Sequence, residues 1–426
     1  MDPVVNFSIE VVEMIFDFLT PAEILNCTLV SHGWNDTIRS STKCMGNFVL
    51  GLRGDWIDFE QDNKFVTSGG KYSNIIISEG TEIFDLIYEV MCANHNWKSV
   101  KIIGMKFKTL YDCLKLLKTC ESSVETLTLC SLTIQTFDEC SEDICIKNLK
   151  NLRISYCSTE ISLSVLKNCQ QLSSLALGNT DEGRLIEIAP YLRNFKKLKV
   201  FNISSEWFDF IFDCDSNYYN FELEVLSVIN SSEVKNSQSI RKIEQNFVKF
   251  LGNQAKTLKN ISLIGMFSFE VLAEIFQMKN LQRLSASSLG VHNWSTVEYP
   301  KSLSIQKLDI ATDHLASRVV FLSIIKSVPN LKILRMRSID LGIAKLISEN
   351  LRHLEKVILV HRQPMSVTKI LQKVVWEWWI QLKFFKKMLV FKIRIENVRV
   401  KIKRNKQQVH FYALLKNLNK NKNQIL

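Results

Sequence analysis

Eleven cysteines and seven histidines are the side chains of this chain best suited to metal binding or nucleophilic attack. A zinc site draws them into pairs such as Cys-x-x-Cys so that four ligands converge on one ion. No such pair occurs, and His32, His95, His292, His314, His353, His361 and His410 are scattered. The cysteines are odd in number and nearly all have apolar neighbours, where a thiol packs as a small hydrophobe, so they are expected to be reduced, mostly buried and without a structural metal. Around Cys214, the last of them, nothing would supply the base that a thiol nucleophile requires. GxGxxG, GxxxxGK followed by Ser or Thr, GxSxG and HExxH do not occur. The residues thus predict a non-catalytic protein that needs no cofactor, whose function lies in binding.

Charge is the remaining chemistry, and its distribution decides its meaning. Of 54 lysines and arginines, 16 fall in residues 361–426 with only Glu377 and Glu396 against them, a local excess of +14 within a net +11. Residues 1–360 are therefore close to neutral, at about −3. This argues against nucleic acid as the partner of the main body. No apolar stretch approaches the roughly 18 residues of a membrane span. The start MDPVVNFSIE lacks the basic and then apolar layout of a signal peptide, which predicts a soluble protein of the cytoplasm or nucleus.

Binding side chains need elements to position them, and 426 residues with 46% hydrophobic content and 6 prolines exceed one compact domain. Near the start, IEVVEMIFDFLTPAEILNCTLVSHGWND predicts short helices. Val12, Ile15, Phe16 and Leu19 fall on one helical face, and the segment should stop at Thr20. There TPAE reads as a helix start, with Thr20 as cap, Pro21 in the first turn and Glu23 closing a capping box. A second helix carries Ile24, Leu25, Thr28 and Leu29 before Trp34. Helices this short are marginal alone, so the unit requires a partner surface.

Phe7, Glu10, Val11, Ile15, Phe16, Leu19, Leu25, Leu29, Val30 and Trp34 have the order and spacing of the F-box, and the segment resembles that helical module over about 30 residues. The family pattern opens with Leu-Pro where this chain has Phe7-Ser8, and a serine there can cap the helix that follows. The resemblance implies docking on a Skp-type adaptor, and through it on a cullin scaffold, by Phe7, Val11, Val12, Ile15, Phe16, Leu19, Leu25, Leu29, Val30 and Trp34. Without it, the same helices would be an N-terminal cap on the segment that follows.

Past residue 70 an apolar triplet, LxxLxL, recurs with starts at Tyr72, Trp97, Val124, Leu149, Leu172, Leu198, Leu223, Leu258, Leu281, Ile305, Leu331 and Leu354, mostly 23 to 27 residues apart. Alternation inside each triplet is strand periodicity, while segments such as LSVLKNC and FVKFLGN between triplets read as helices. Each unit can bury its apolar side only against its neighbours. The stretch from Leu149, with Cys157 and Cys169 at fixed offsets, resembles the cysteine-containing class of leucine-rich repeats. The expected fold is therefore α/β: a short helical F-box followed by a right-handed leucine-rich-repeat solenoid, parallel strands on its concave face and helices on its convex face. The expected boundaries are 1–44 for the F-box-like module, 45–71 for a linker, 72–363 for about twelve repeats and 364–426 for a basic tail.

About ten extra residues between Leu223 and Leu258, including NSSEVKNSQS, read as a surface loop, with a target-gripping loop as the alternative. The tail has the composition of a disordered basic segment or of translated AT-rich non-coding sequence; its alternating Phe391–Ile395 and Val398–Lys403 stretches, which change phase at Asn397, also suit a basic ribbon. The combined resemblance implies a substrate receptor of an SCF-type ubiquitin ligase, with a repeat scaffold lacking any ligase role as the alternative. On the concave face the early outward positions, Thr126, Thr128, Ser174, Ala176, Asn202 and Ser227, are small or neutral. Arg283, Lys307, Arg335, Arg337 and Lys356 are basic and are the expected contacts to an acidic or phosphorylated protein target, with Asp309 the exception among them.

Overall fold

The computed structural model describes residues 7–53, 72–78, 84–93, 96–136, 144–169, 171–179, 189–204, 207–208, 211–212, 219, 221–230, 237–265, 267–286, 298–310, 318–336 and 341–361, and the backbone of 390–395, 398–405 and 408–415. Four short helices open the chain. Helix α1 (Ile9–Phe16) buries Val12 and Phe16 and ends one turn before Leu19, so the periodicity runs further than the helix does. Ser8 stands at its N-cap, yet its side chain makes no capping bond, contrary to the expectation from sequence. Helix α2 (Pro21–Cys27) starts as predicted. The Thr20 hydroxyl accepts the Glu23 N–H at 3.4 Å and the Glu23 carboxylate accepts the Thr20 N–H at 2.7 Å, which satisfies two otherwise orphaned helix donors.

Helix α3 (His32–Ser40) is capped by Ser31 and α4 (Thr42–Gly46) by Ser41. The Ser41 hydroxyl also donates to Glu13 of α1 at 2.5 Å, which ties the last helix to the first. Val12, Phe16, Ile24, Ile38, Cys44 and Met45 are the buried interior of this module. The described residues then divide into two compact units, within 1–202 plus 218–221 and within 203–217 plus 222–426.

In the first unit, strands β1 (Val49–Arg53), β2 (Asn74–Ser78) and β3 (Ser99–Ile103) precede β4 (Lys106–Thr109) and β5 (Thr126–Cys130). After them come β6 (Thr133–Thr136), β7 (Asn151–Ser155), β8 (Ser174–Leu177) and β9 (Val200–Ile203). Helices α5 (Phe84–Ala93), α6 (Leu110–Lys118), α7 (Thr159–Leu166) and α8 (Ala189–Leu192) stand between strands. Strands β1, β2, β3, β5, β7 and β8 pair in parallel in that order, while β4 and β6 form a separate parallel pair. Strand β1 lies inside the segment read as a linker, so the parallel array begins one strand earlier than the triplets indicate.

Register explains the triplets. Ile75, Val100, Leu127, Leu152 and Leu175 are matched partner to partner, and so are Ile77, Ile102, Leu129, Ile154 and Leu177. All ten are buried. A buried leucine or isoleucine contributes about 1.5–3 kcal/mol, and each column forms only when a neighbouring repeat stacks. The twelve triplet starts from Tyr72 to Leu354 are buried as well.

Two polar devices lock consecutive repeats. The residue just after a strand takes a left-handed turn at Gly104 (φ 68°), Ser131 (φ 56°), Tyr156 (φ 56°) and Gly265 (φ 111°). Its N–H reaches across to the next repeat, Gly104 to the Cys130 carbonyl at 2.8 Å and Ser131 to the Ser155 carbonyl at 2.9 Å. An asparagine just before the triplet reaches back to the preceding repeat from its side chain: Asn148 donates to the Ser122 carbonyl at 2.7 Å, Asn280 to that of Lys256 at 2.6 Å and Asn330 to that of Leu303 at 2.9 Å.

The second unit holds β10 (Val225–Ile229), helix α9 (Ser237–Gln254), β11 (Asn260–Ile264), α10 (Phe269–Gln277) and β12 (Arg283–Ala286). Then follow β13 (Lys307–Ile310), α11 (Arg318–Ser327), β14 (Ile333–Met336), α12 (Leu341–Asn350) and β15 (Lys356–His361). Strands β10 to β15 pair in parallel, with Leu226, Ile261, Leu284, Leu308, Leu334 and Val357 in one buried column. The extra length before Leu258 is largely the 18-residue α9 rather than a loop; residues 231–236 lie outside the described residues. Phe247 and Phe250 of α9 pack on Phe212 with ring centroids 4.9 and 5.2 Å apart, and Phe247 meets Phe208 at 5.0 Å. Aromatic packing here fills the space that leucines fill elsewhere.

The backbone of β16 (Val390–Ile395) pairs in parallel with β15, and β17 (Val398–Asn405) and β18 (Gln408–Leu415) follow antiparallel. This part of the basic tail continues the pairing of the last repeat as strands. The phase change at Asn397 separates β16 from β17. The remainder of the tail lies outside the described residues.

Gly265 and Gly51 offer a direct contrast. A Cβ at Gly265 would stand 1.8 Å from the Asn230 carbonyl oxygen in a backbone region closed to alanine, whereas one at Gly51 meets nothing within 4 Å. Gly265→Ala should destabilise by about 2 kcal/mol or more and lower the thermal midpoint by several degrees; Gly51→Ala should leave it unchanged or slightly raised. Paired melts of the two variants check this.

Candidate functional site

The helical module leaves an unusual amount of large apolar surface in water. Phe18 is 89% exposed, Leu29 83%, Val30 65% and Leu25 58%. Phe7, Ile9, Met14 and Ile15 are exposed as well. The cause is local. Helices of 7 to 9 residues have one narrow inner stripe, and Val12, Phe16, Ile24 and Ile38 already occupy it. The apolar residues on the remaining faces therefore have nothing of this module left to cover them.

This geometry sorts the sequence-derived contacts. Phe7, Ile15, Leu25, Leu29 and Val30 are on the surface, and Val11, Leu19 and Trp34 are half-buried. Val12 and Phe16 are not contacts but interior, each only 2% exposed, and Trp34 packs edge-on against Phe16 with ring centroids 5.8 Å apart. They pack the helices of the module together. Phe18, the most exposed large apolar side chain among the described residues, escaped the sequence reading because it follows the end of α1 and has no helical phase. Residues 5–44 match the F-box domain family. This F-box covers helices α1 to α3 and the start of α4. No curated protein matches the chain.

The second candidate surface is the outward face of β12 to β15. Arg283 is matched with Lys307, Asp309 with Arg335, and Ile333 with Lys356. The structure adds an ion cluster that spacing alone did not predict. The Asp309 carboxylate stands 3.1 Å from the Arg335 guanidinium and 3.9 Å from that of Arg283. Burial pushes the Asp309 carboxyl up, and the two arginines act in the opposite direction. Two of the three expected arginines thus face a carboxylate within the sheet. Arg337 lies outside the described residues. Basic character is also less confined to the late repeats than predicted, since Lys101 and Arg153 take outward positions in β3 and β7.

The cysteines Cys44, Cys113, Cys120, Cys157 and Cys169 are buried. Burial pushes the Cys157 thiol up to about 11 and those of Cys120 and Cys169 to about 12, which keeps them protonated and unreactive at neutral pH. Cys140 and Cys214 lie outside the described residues. Among the described residues no helix is long and apolar enough to cross a membrane.

The division between interior and surface of the F-box has a measurable consequence. Phe16→Ala removes a buried ring and should cost the module about 3–5 kcal/mol, seen as fast amide exchange across residues 9–46. Phe18→Asp with Leu29→Asp should leave that exchange unchanged, because both side chains are already in water.

Proposed function

We propose that this chain is the substrate receptor of an SCF-type ubiquitin ligase. Its F-box docks on a Skp-type adaptor, and its parallel repeat array, of the leucine-rich kind, holds the protein to be ubiquitinated. The exposed apolar set of Phe18, Leu25, Leu29 and Val30 carries this reading, since water-facing aromatic and leucine side chains on a module this small are the composition of an interface. The chain itself does no chemistry. Its contribution is proximity: holding a target lysine near a charged conjugating enzyme raises the effective concentration of the nucleophile.

The target surface we propose is the outward face bearing Arg283, Lys307, Arg335 and Lys356; Arg337, expected with them from the sequence, lies outside the described residues. Stacked strands lie about 4.7–4.9 Å apart, so the fields of side chains in successive repeats add; Lys307 shares its strand with Asp309, and Lys356 stands two strands on.

Two measurements test these assignments. Phe18→Asp with Leu29→Asp should weaken adaptor binding at least 100-fold, a loss of about 2.7 kcal/mol, without changing the melt of the repeats. Unchanged adaptor binding would leave the repeat array as a scaffold with no ligase role. For a target identified by proximity labelling, Lys307→Glu with Lys356→Glu should reduce binding more than tenfold, and the loss should shrink at high salt. Lys115→Glu with Lys118→Glu on helix α6, where Lys115 instead lies 4.3 Å over the Tyr88 ring, should do little.

A further inference from the structure

The rim of the array just before each strand carries a charge code of its own. The residue there follows a buried anchor, so it points to water while its backbone is fixed by the next repeat. In most rows the charges pair off between neighbours: Lys150 with Glu125 at 2.7 Å, Lys259 with Glu224 at 2.8 Å, Lys332 with Glu355 at 3.9 Å. The alternation lapses at Gln282 and Gln306, which are neutral, and at Ser173, which stands between lysines. Leu149, Leu172 and Leu198 are buried anchors of three consecutive rows whose local sequences are KNLK, QQLS and KKLK. Where a glutamate would continue the pairing after Lys150, the chain has Ser173.

The result is a groove of about 740 Å³ lined by Lys147, Asn148, Lys150, Gln171, Ser173, Lys196, Lys197 and Lys199. Five lining residues are lysines, and no carboxylate among the described residues lines it. The rows are held in register by main-chain bonds. The Ser173 and Ser174 N–H groups donate to the Lys150 carbonyl at 2.8 and 2.9 Å, and those of Lys199 and Val200 to the Ser173 carbonyl at 2.9 and 3.0 Å. Lys197 donates to Gln171 at 2.5 Å and Lys150 to Glu125, which orients both ammonium groups across the rows.

We infer that this groove binds an extended acidic segment, a run of aspartates and glutamates, in a partner protein. Three rows span about 10 Å, which about three residues of an extended chain cross at roughly 3.3 Å each. At physiological salt the screening length is about 8 Å, longer than the row spacing, so the lysine fields add along such a segment. The cations are all lysines, compact point charges spread over the groove. Recognition of a single phosphate favours the convergent, bidentate fork of arginine, and the groove has none. The Gln171 amide nitrogen, whose carbonyl accepts from Lys197, and the second amide hydrogen of Asn148 can donate to carboxylates or to the peptide backbone, while the Ser173 hydroxyl donates to the Lys150 carbonyl at 3.1 Å. The inference needs the receptor reading only to call that partner a target; the binding itself stands apart from the F-box.

A fluorescein-labelled decapeptide of alternating Asp and Glu, titrated into the full chain by anisotropy, tests it. Binding should weaken at least tenfold in Lys196→Glu with Lys197→Glu and by a smaller factor in the corresponding glutamine variant. It should fall with added salt and change less than twofold in Lys307→Glu with Lys356→Glu. Circular dichroism of each variant keeps folding separate from binding. The Phe18→Asp, Leu29→Asp protein should lose the adaptor yet bind the peptide normally, so a failure of the receptor reading and a failure of the groove give different results. Equal affinity in the wild-type and lysine-variant proteins, or equal losses from the groove and outward-face variants, would overturn the inference. So would tighter binding of a phosphoserine decapeptide or of an RNA duplex than of the acidic peptide.

Discussion

The structure depends on the fact that no repeat can bury its own apolar side. Leu127 and Leu129 have their principal neighbours above and below, in Val100 and Ile102 and in Leu152 and Ile154, rather than within their own strand. Stability is then close to a sum of interface terms, each supplied by a pair of adjacent repeats. Parallel pairing follows from this, since every strand must arrive from the same side after its helix or loop. The left-handed turn after the strand and the asparagine before it are the polar counterparts of that stacking. Both send a hydrogen bond to the neighbouring repeat, and neither could be satisfied by an isolated unit.

The F-box obeys the same constraint with a different outcome. Its inner stripe of Val12, Phe16, Ile24 and Ile38 suffices to hold four short helices, while Phe18, Leu25, Leu29 and Val30 remain outside. Apolar surface that the repeats cover with one another is here left for another protein to cover. In both parts of the chain the contacts proposed are what packing leaves over: apolar side chains at the F-box, and outward lysines on the sheet and its rim.

The parts legible in the sequence were those governed by short periods. The twelve triplet anchors, the capping box at Thr20 and Glu23, and the F-box segment are each fixed by residue types a few positions apart, and all are found in place. What the sequence concealed depends on contacts between repeats. The split of α1 into an interior pair and a docking set turns on which neighbour arrives at Phe16, and Trp34 comes from another helix. The pairing of Asp309 with Arg335 and Arg283 needs the register of three strands. The length before Leu258 read as a loop because its polar start masks an 18-residue helix whose apolar face meets phenylalanines more than 30 positions away.

The central claim is that the apolar surface of residues 5–44 exists to be covered by an adaptor. Amide hydrogen exchange of the full chain, alone and with a Skp-type adaptor, tests it most directly. The account predicts added protection across residues 9–30 of the F-box and little change in the strands from β3 onward. Unchanged exchange in the F-box at saturating adaptor, or protection confined to the repeats, would contradict it.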